Sequence, residues 1–337
     1  MLDRAYGCLV GAAIGDAMGM PASFMPPAQI KEVYGRITDF LKPAEEQTAH
    51  LGLMTASITD DTEESLIVAS VLIEAGEFNT DIFIEKMRKW AVEKKALEST
   101  IIGPSTRRFL ETIVRGGDYL EAGKTGDTNG GAMRAAPIGL FNHGNVEKAV
   151  RDAMACTRPS HGSKPGMAGA CAVAAAIATA VEGGCTPEAV IQNAIYGAVE
   201  GEKAGFDIPA PSVAARIELA RELVEKNRGR ELEEICHQLY RYLGASMKSY
   251  ESIPISLGVF YAAQGNFEKG LISIINIGDD ADTNGSIVGA LCGAFGGARG
   301  IRPQWIEKVQ RSNGLNFLEI ARSLISRGKG QSPAQGL

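Results

Sequence analysis

A chain of 337 residues, 45% of them hydrophobic, is long enough to bury a large core, and no Pro/Ser-rich linker or shift in composition divides it. Its net charge of −6 argues against nucleic-acid backbones and anionic membranes as partners, because both require basic patches; an anionic ligand has to be met locally, by metal or backbone amides. Six cysteines (Cys8, Cys156, Cys171, Cys185, Cys236 and Cys292) show no CxxC spacing, the pattern of reduced core residues in a cytoplasmic protein.

The chain opens with Arg4 and the run Cys8-Leu9-Val10-Gly11-Ala12-Ala13-Ile14, which faintly imitates a signal peptide. Asp16 ends that run, and the glycines read as an internal helix instead. Residues 21–56 carry Pro26, Pro27 and Pro43 and predict a weakly structured segment with a short helix over 28–34. Long segments of this kind in compact domains often act as lids or binding loops. Next comes Thr59-Asp60-Asp61-Thr62-Glu63, running into Leu66-Ile67-Val68. On its own it reads as a capping box, with Glu63 three residues after an Asp60 cap.

Phe109, Leu110, Ile113 and Val114 share one helical face. The loop Gly123-Lys124-Thr125-Gly126-Asp127-Thr128-Asn129-Gly130-Gly131 then leads into Ala132-Met133-Arg134. Its glycines would let backbone N–H groups approach an anion such as a diphosphate, though a plain connection fits equally well. The most apolar stretch, 167–181, falls short of the roughly 18 residues of a membrane span and predicts a buried core helix. Leu232, Ile235, Leu239 and Leu243 mark another helical face. The last motif, Asp279-Asp280-Ala281-Asp282-Thr283-Asn284, again runs into an apolar stretch, and singly could be a helix cap. Residues 327–337 read as a polar, frayed tail.

Alternating strand patterns are absent, so the chain reads as all-α, a single domain over 1–326. Glycine recurs inside the apolar helices although each costs about 1 kcal/mol there, which implies close backbone packing. The segment Val10-Gly11-Ala12-Ala13-Ile14-Gly15-Asp16-Ala17 also resembles Val288-Gly289-Ala290-Leu291-Cys292-Gly293-Ala294-Phe295, through convergent small-residue packing or an internal repeat.

Taken together, the two acidic clusters say more than either does alone. Each holds at least two carboxylates and a threonine, where a cap needs one oxygen. Two unit charges about 4 Å apart repel by roughly 4 kcal/mol at an effective dielectric near 20, so clustered carboxylates call for cations. Asp and Thr are hard oxygen ligands, and no histidine or cysteine adjoins either cluster in sequence; Mg²⁺ or Mn²⁺ suits such a set better than Zn²⁺.

With Gly11-Ala12-Ala13-Ile14-Gly15-Asp16-Ala17-Met18-Gly19-Met20-Pro21, Asn129-Gly130-Gly131-Ala132-Met133-Arg134-Ala135-Ala136-Pro137 and Ser160-His161 added, the ordered motifs resemble those of the ADP-ribosylglycohydrolases over nearly the whole length. That resemblance implies an all-helical, compact single-domain orthogonal bundle with a binuclear Mg²⁺ or Mn²⁺ cleft that hydrolyses the bond at C1 of an ADP-linked ribose. It also implies Thr59, Asp60, Asp61, Asp280, Asp282 and Thr283 as ligands to two ions, and Asn129, Gly130, Gly131, Met133 and His161 as pocket lining. A core role for His161 fits as well. Asp61 and Asp282 are the leading candidates for the base, Asp127 the third; Arg134 reads as a structural salt bridge. Two departures stand out. Ser23 occupies a position where many relatives carry a glutamate, which also makes it a substrate-binding candidate, and Gly126-Asp127-Thr128-Asn129 differs from the commoner loop. Both leave room for a smaller N-riboside such as a nucleoside as substrate. A two-metal phosphohydrolase and a non-catalytic structural or ligand-binding relative are the remaining alternatives.

Overall fold

The computed structural model describes residues 1–99 and 102–328. Among these residues it contains eighteen α-helices and no sheet, only two isolated bridges, Thr128 with Lys248 and Ser163 with Phe206. The all-α expectation holds.

The organising contact is between the first helix, Leu2–Gly19, and the helix Ala281–Gly296. Glycines spaced four apart form a stripe along one face of each, since residues i and i+4 stack on a helix. Gly7 lies on Gly293, Gly11 on Gly289 and Gly15 on Gly285, so the pair is antiparallel. A Cβ at Gly7 or Gly11 would come within 2.6 or 2.5 Å of a carbonyl oxygen of the opposite helix. The two segments that resemble each other in sequence therefore face each other, and backbone-to-backbone packing accounts for their likeness. A consequence follows for the site. The antiparallel pairing carries Gly19 onto Ala281, so the C-terminal end of the first helix meets the N-terminal end of the second, beside the second acidic cluster.

The predicted core helix runs Lys164–Ala180 and is buried along almost its whole length. Pro187–Ala204 packs closely on it, with Gly197 against the carbonyl of Cys171 and Gly201 against Ala168. All six cysteines are free, five of them buried. Among the described residues no single helix is long and apolar enough to cross a membrane.

Two local expectations are refined. The short helix spans Pro27–Tyr34, and segment 35–59 beyond it has no helix. That segment is pinned inward by the buried Gln47 amide, which donates to the carbonyls of Met20 (3.2 Å) and Ser23 (2.7 Å). At the other end, Arg327 and Gly328 belong to the last helix, Phe317–Gly328, while 329–337 lie outside the described residues.

Candidate active site

The helix Asp60–Ala75 is capped by Thr59, whose Oγ1 accepts from the Asp61 amide at 3.3 Å. The capping-box reading thus shifts by one residue. Glu63 does not fold back to close it; its carboxylate takes the Trp90 indole (2.8 Å) and Lys94 (2.6 Å) on the outer side. At the start of Ala281–Gly296, Asp280 occupies the cap position but makes no side-chain cap bond. The aspartates of both clusters are therefore released from capping.

They converge. Asp60, Asp61, Asp280, Asp282 and Thr283 line one narrow cleft of about 40 Å³. The Thr283 hydroxyl donates to Asp61 Oδ2 at 3.2 Å, a direct bond between clusters 222 residues apart. The opposite wall is Thr128, Asn129, Gly130 and Met133, and Phe24 and Met247 also line the space. Asn129 Nδ2 donates to Asp280 Oδ2 at 2.5 Å and to Ser252 Oγ at 2.8 Å, tying the glycine-rich loop to the second cluster.

Behind Asp61, fully buried Asp16 of the first helix accepts from Thr59 N (3.0 Å) and Thr59 Oγ1 (2.9 Å), and from Thr62. Thr59 thus faces Asp16 and does not line the cleft.

The electrostatics follow from burial. Desolvation pushes the carboxyl of Asp16 up to about 7 and that of Asp280 up to about 8, with the neighbouring Asp282 charge adding to both. Asp60 and Asp61 are also raised well above the ordinary carboxylate range, first by burial and then by neighbouring acids. Asp282 goes the other way. Burial raises it, but the nearby His50, together with hydrogen bonds from Ser23 and the Thr283 amide, outweighs that and holds it below its usual value. His50 Nε2 lies 2.9 Å from Asp282 Oδ2, within salt-bridge distance. His50 responds in kind: burial lowers it, and Asp282 more than offsets this.

These features fit a hard cation. The donors are all oxygens, and Asp61 Oδ1 and Asp282 Oδ1 are buried with no partner among the described residues. An unpaired buried carboxylate oxygen is costly, and an ion would satisfy it. As they stand, no three His, Cys, Asp or Glu side chains among the described residues are gathered into a metal-binding group. The existing Thr283–Asp61 contact shows how closely the two clusters already approach.

The other predicted site residues take several positions. Ser23 is buried beside Asp282, with its hydroxyl 3.5 Å from the Gly19 carbonyl, and does not line the cleft. Gly130 lines it; Gly131 faces inward, where a Cβ would meet Thr157 at 2.6 Å. Asp127 pairs with Lys248 at 2.7 Å and does not itself line the cleft. His161 is fully buried behind the loop, its Nε2 3.0 Å from Thr128 Oγ1. Arg134 is the buried salt bridge expected of it, 2.7 Å from Glu64.

Two participants had no signal in the sequence, His50 and Phe24. Phe24 (φ 64°) and Asp279 (φ 55°) both adopt the left-handed conformation, which costs of order 1–3 kcal/mol at a non-glycine residue. Their backbones pair, Phe24 N to Asp279 O at 2.5 Å and Asp279 N to Met25 O at 2.9 Å, fastening the segment after the first helix to the second cluster.

The ADP-ribosylglycohydrolase family model matches residues 1–334. The uncharacterized protein YegU of Escherichia coli (strain K12) is 32% identical, over 96% of each chain. The ADP-ribosyl-[dinitrogen reductase] glycohydrolase of Rhodospirillum rubrum is 27% identical, over 91% of this chain and 90% of that one. A solved structure titled ADP-ribosylglycohydrolase-related protein complex superposes with a TM-score of 0.71, covering 97% of this chain and 98% of that chain at 24% identity, and so shares the fold. The chain belongs to the ADP-ribosylglycohydrolase family and is a hydrolase of glycosidic bonds.

Proposed function

We propose that this protein is a magnesium- or manganese-dependent hydrolase that cleaves the glycosidic bond at C1 of an ADP-ribosyl group, using water as the nucleophile. The observation that carries this reading is the pair of buried, unpartnered oxygens, Asp61 Oδ1 and Asp282 Oδ1, in a cleft shared with Asp60 and Asp280. Asp60, Asp61, Asp280, Asp282 and Thr283 would hold two ions, with Thr59 supporting them through Asp16. The ions would supply the counter-charge and Lewis acidity that four buried carboxylates lack.

The chain's own groups do the rest. Cleavage at C1 builds positive charge on the ribose ring, and the cleft aspartates stabilise it. Asp61 or Asp282 accepts the proton of the attacking water. Asp127 is the weaker candidate, because its carboxylate is paired with Lys248 and it does not line the cleft. The free cysteines suit a reducing compartment such as the cytoplasm.

Chelation tests the metals. An ion that binds only the folded state raises stability by mass action, about 2.7 kcal/mol at a hundred times its Kd. Treatment with EDTA is therefore expected to lower the Tm, and Mg²⁺ or Mn²⁺ to restore it. An unchanged melting curve, with no metal by elemental analysis, would sink the site.

A nucleoside-type substrate is the second reading. It is favoured by Ser23 and by a tight cleft, whose free volume of about 40 Å³ lies far below the roughly 300–1,000 Å³ usual for ligand pockets. The kcat/KM ratio for an ADP-ribosylated peptide over a plain nucleoside separates the two, since it measures transition-state discrimination. At least about tenfold preference for the peptide is expected; the reverse preference would transfer the proposal to nucleosides.

A further inference from the structure

Behind the cleft runs a buried chain of polar side chains joining its two walls. Arg134, with no exposed surface, donates from Nη1 to Glu64 Oε2 at 2.7 Å and from Nη2 to Ser160 Oγ at 2.5 Å. Ser160 Oγ lies 2.8 Å from His161 Nδ1, and His161 Nε2 lies 3.0 Å from Thr128 Oγ1. Thr128 lines the cleft on the loop side; Glu64 sits one helical turn after Asp60, which lines it on the metal side. The guanidinium also stacks 5.0 Å from the Phe83 ring centroid, which fixes its plane.

Donor counting gives this chain a direction. A guanidinium can only donate, so Ser160 Oγ must accept from it. A hydroxyl has a single proton, and Ser160 has His161 Nδ1 as the acceptor for it. The neutral imidazole then carries its own proton on Nε2 and donates to Thr128 Oγ1. That leaves the Thr128 proton with no acceptor among the described residues. We propose that Arg134 is a positioning residue that sets the His161 tautomer and so fixes the Thr128 hydroxyl as a hydrogen-bond donor toward a ligand oxygen in the cleft. Burial, together with the charges of Arg134 and Arg108, lowers the His161 pKa well below its usual value, consistent with a neutral ring. In naming a ligand contact the proposal rests on the hydrolase reading above; the tautomer does not.

The experiment has two arms. Nitrogen-15 NMR of the histidine rings, with His161 assigned by its loss in His161→Gln, reads the tautomer without any ligand. A neutral ring protonated at Nε2 is expected. In the Glu64→Met/Arg134→Met double variant no unpaired buried charge remains, so the fold is expected to survive while the Nε2–H preference is lost. A ring protonated at Nδ1, a charged ring, or a tautomer unchanged in the double variant would overturn the proposal. The second arm measures ADP-ribose binding. Thr128→Val is expected to weaken it about tenfold, the value of one hydrogen bond, while Thr128→Ser stays near the unaltered protein. Equal affinity for Thr128→Val and Thr128→Ser would remove the ligand contact. Failure of the unaltered protein to release ADP-ribose from any modified substrate would count against the hydrolase reading, and the tautomer measurement would still decide the role of Arg134.

Discussion

Asp61→Asn and Asp282→Asn are each expected to lower kcat/KM by at least about a hundredfold, near 2.7 kcal/mol of transition-state stabilisation. Asparagine keeps the size of the side chain and, at residue 61, an oxygen to accept from Thr283, so the cleft retains its shape. What it removes is charge, at the two residues whose Oδ1 atoms are buried and unpartnered. At Asp61 the fold has little reason to suffer. Asp61 is buried and repelled by Asp16, Asp282, Asp60 and Asp280, and neutralising it relieves that repulsion. The metal-free Tm of Asp61→Asn is thus expected to equal or exceed that of the unaltered protein, while the gain on adding Mg²⁺ or Mn²⁺ shrinks. If both carboxylates serve one centre, the double variant loses little more than either single one. Strictly additive losses in the cycle would instead assign the two residues to separate sites.

Much of this architecture was legible because its signals are local. The acidic clusters stand out as short runs, glycines recurring inside apolar helices imply close backbone packing, and the apolar run inside Lys164–Ala180 declares a core helix by composition. What escaped were partnerships set by the tertiary fold. His50 lies in a helix-free segment with no periodicity to give it a direction, and the Gln47 bonds to the Met20 and Ser23 carbonyls help bring its neighbourhood onto Asp282. Glu63 has the spacing of a capping box, yet Trp90 and Lys94, on the next helix and just beyond it, draw it outward. Asp127 has the composition of a cleft residue, but the bridge between Thr128 and Lys248 turns it toward a surface lysine. Sequence spacing predicts which groups share an element; it does not predict which element comes to lie opposite.

The glycine stripe offers the sharpest test of how packing produces the site. Gly15→Ala is expected to destabilise the protein by about 3 kcal/mol or more, the upper part of the overpacking range, although alanine is the better helix former by about 1 kcal/mol. The reason is geometric. A Cβ on Gly15 would overlap the carbonyl oxygen and carbon of Gly285, and both sides of that contact are backbone, with no flexible side chain to swing aside. The helices would have to separate. Because Asp16 is the next residue and Asp282 lies one turn before Gly285, separation also pulls Asp16 from Thr59 and displaces Asp282 from Asp61. Metal affinity should therefore fall along with stability, a coupling that a remote destabilising change would not produce. Gly300→Ala is the control, since a Cβ there meets nothing within 4 Å, and its effect should stay within about 0.5 kcal/mol. Denaturant unfolding with and without Mg²⁺ measures both quantities. A Gly15→Ala protein as stable as the control, or one that loses stability but keeps its full Mg²⁺-dependent gain, would show that the helix pair does not set the spacing of the two acidic clusters.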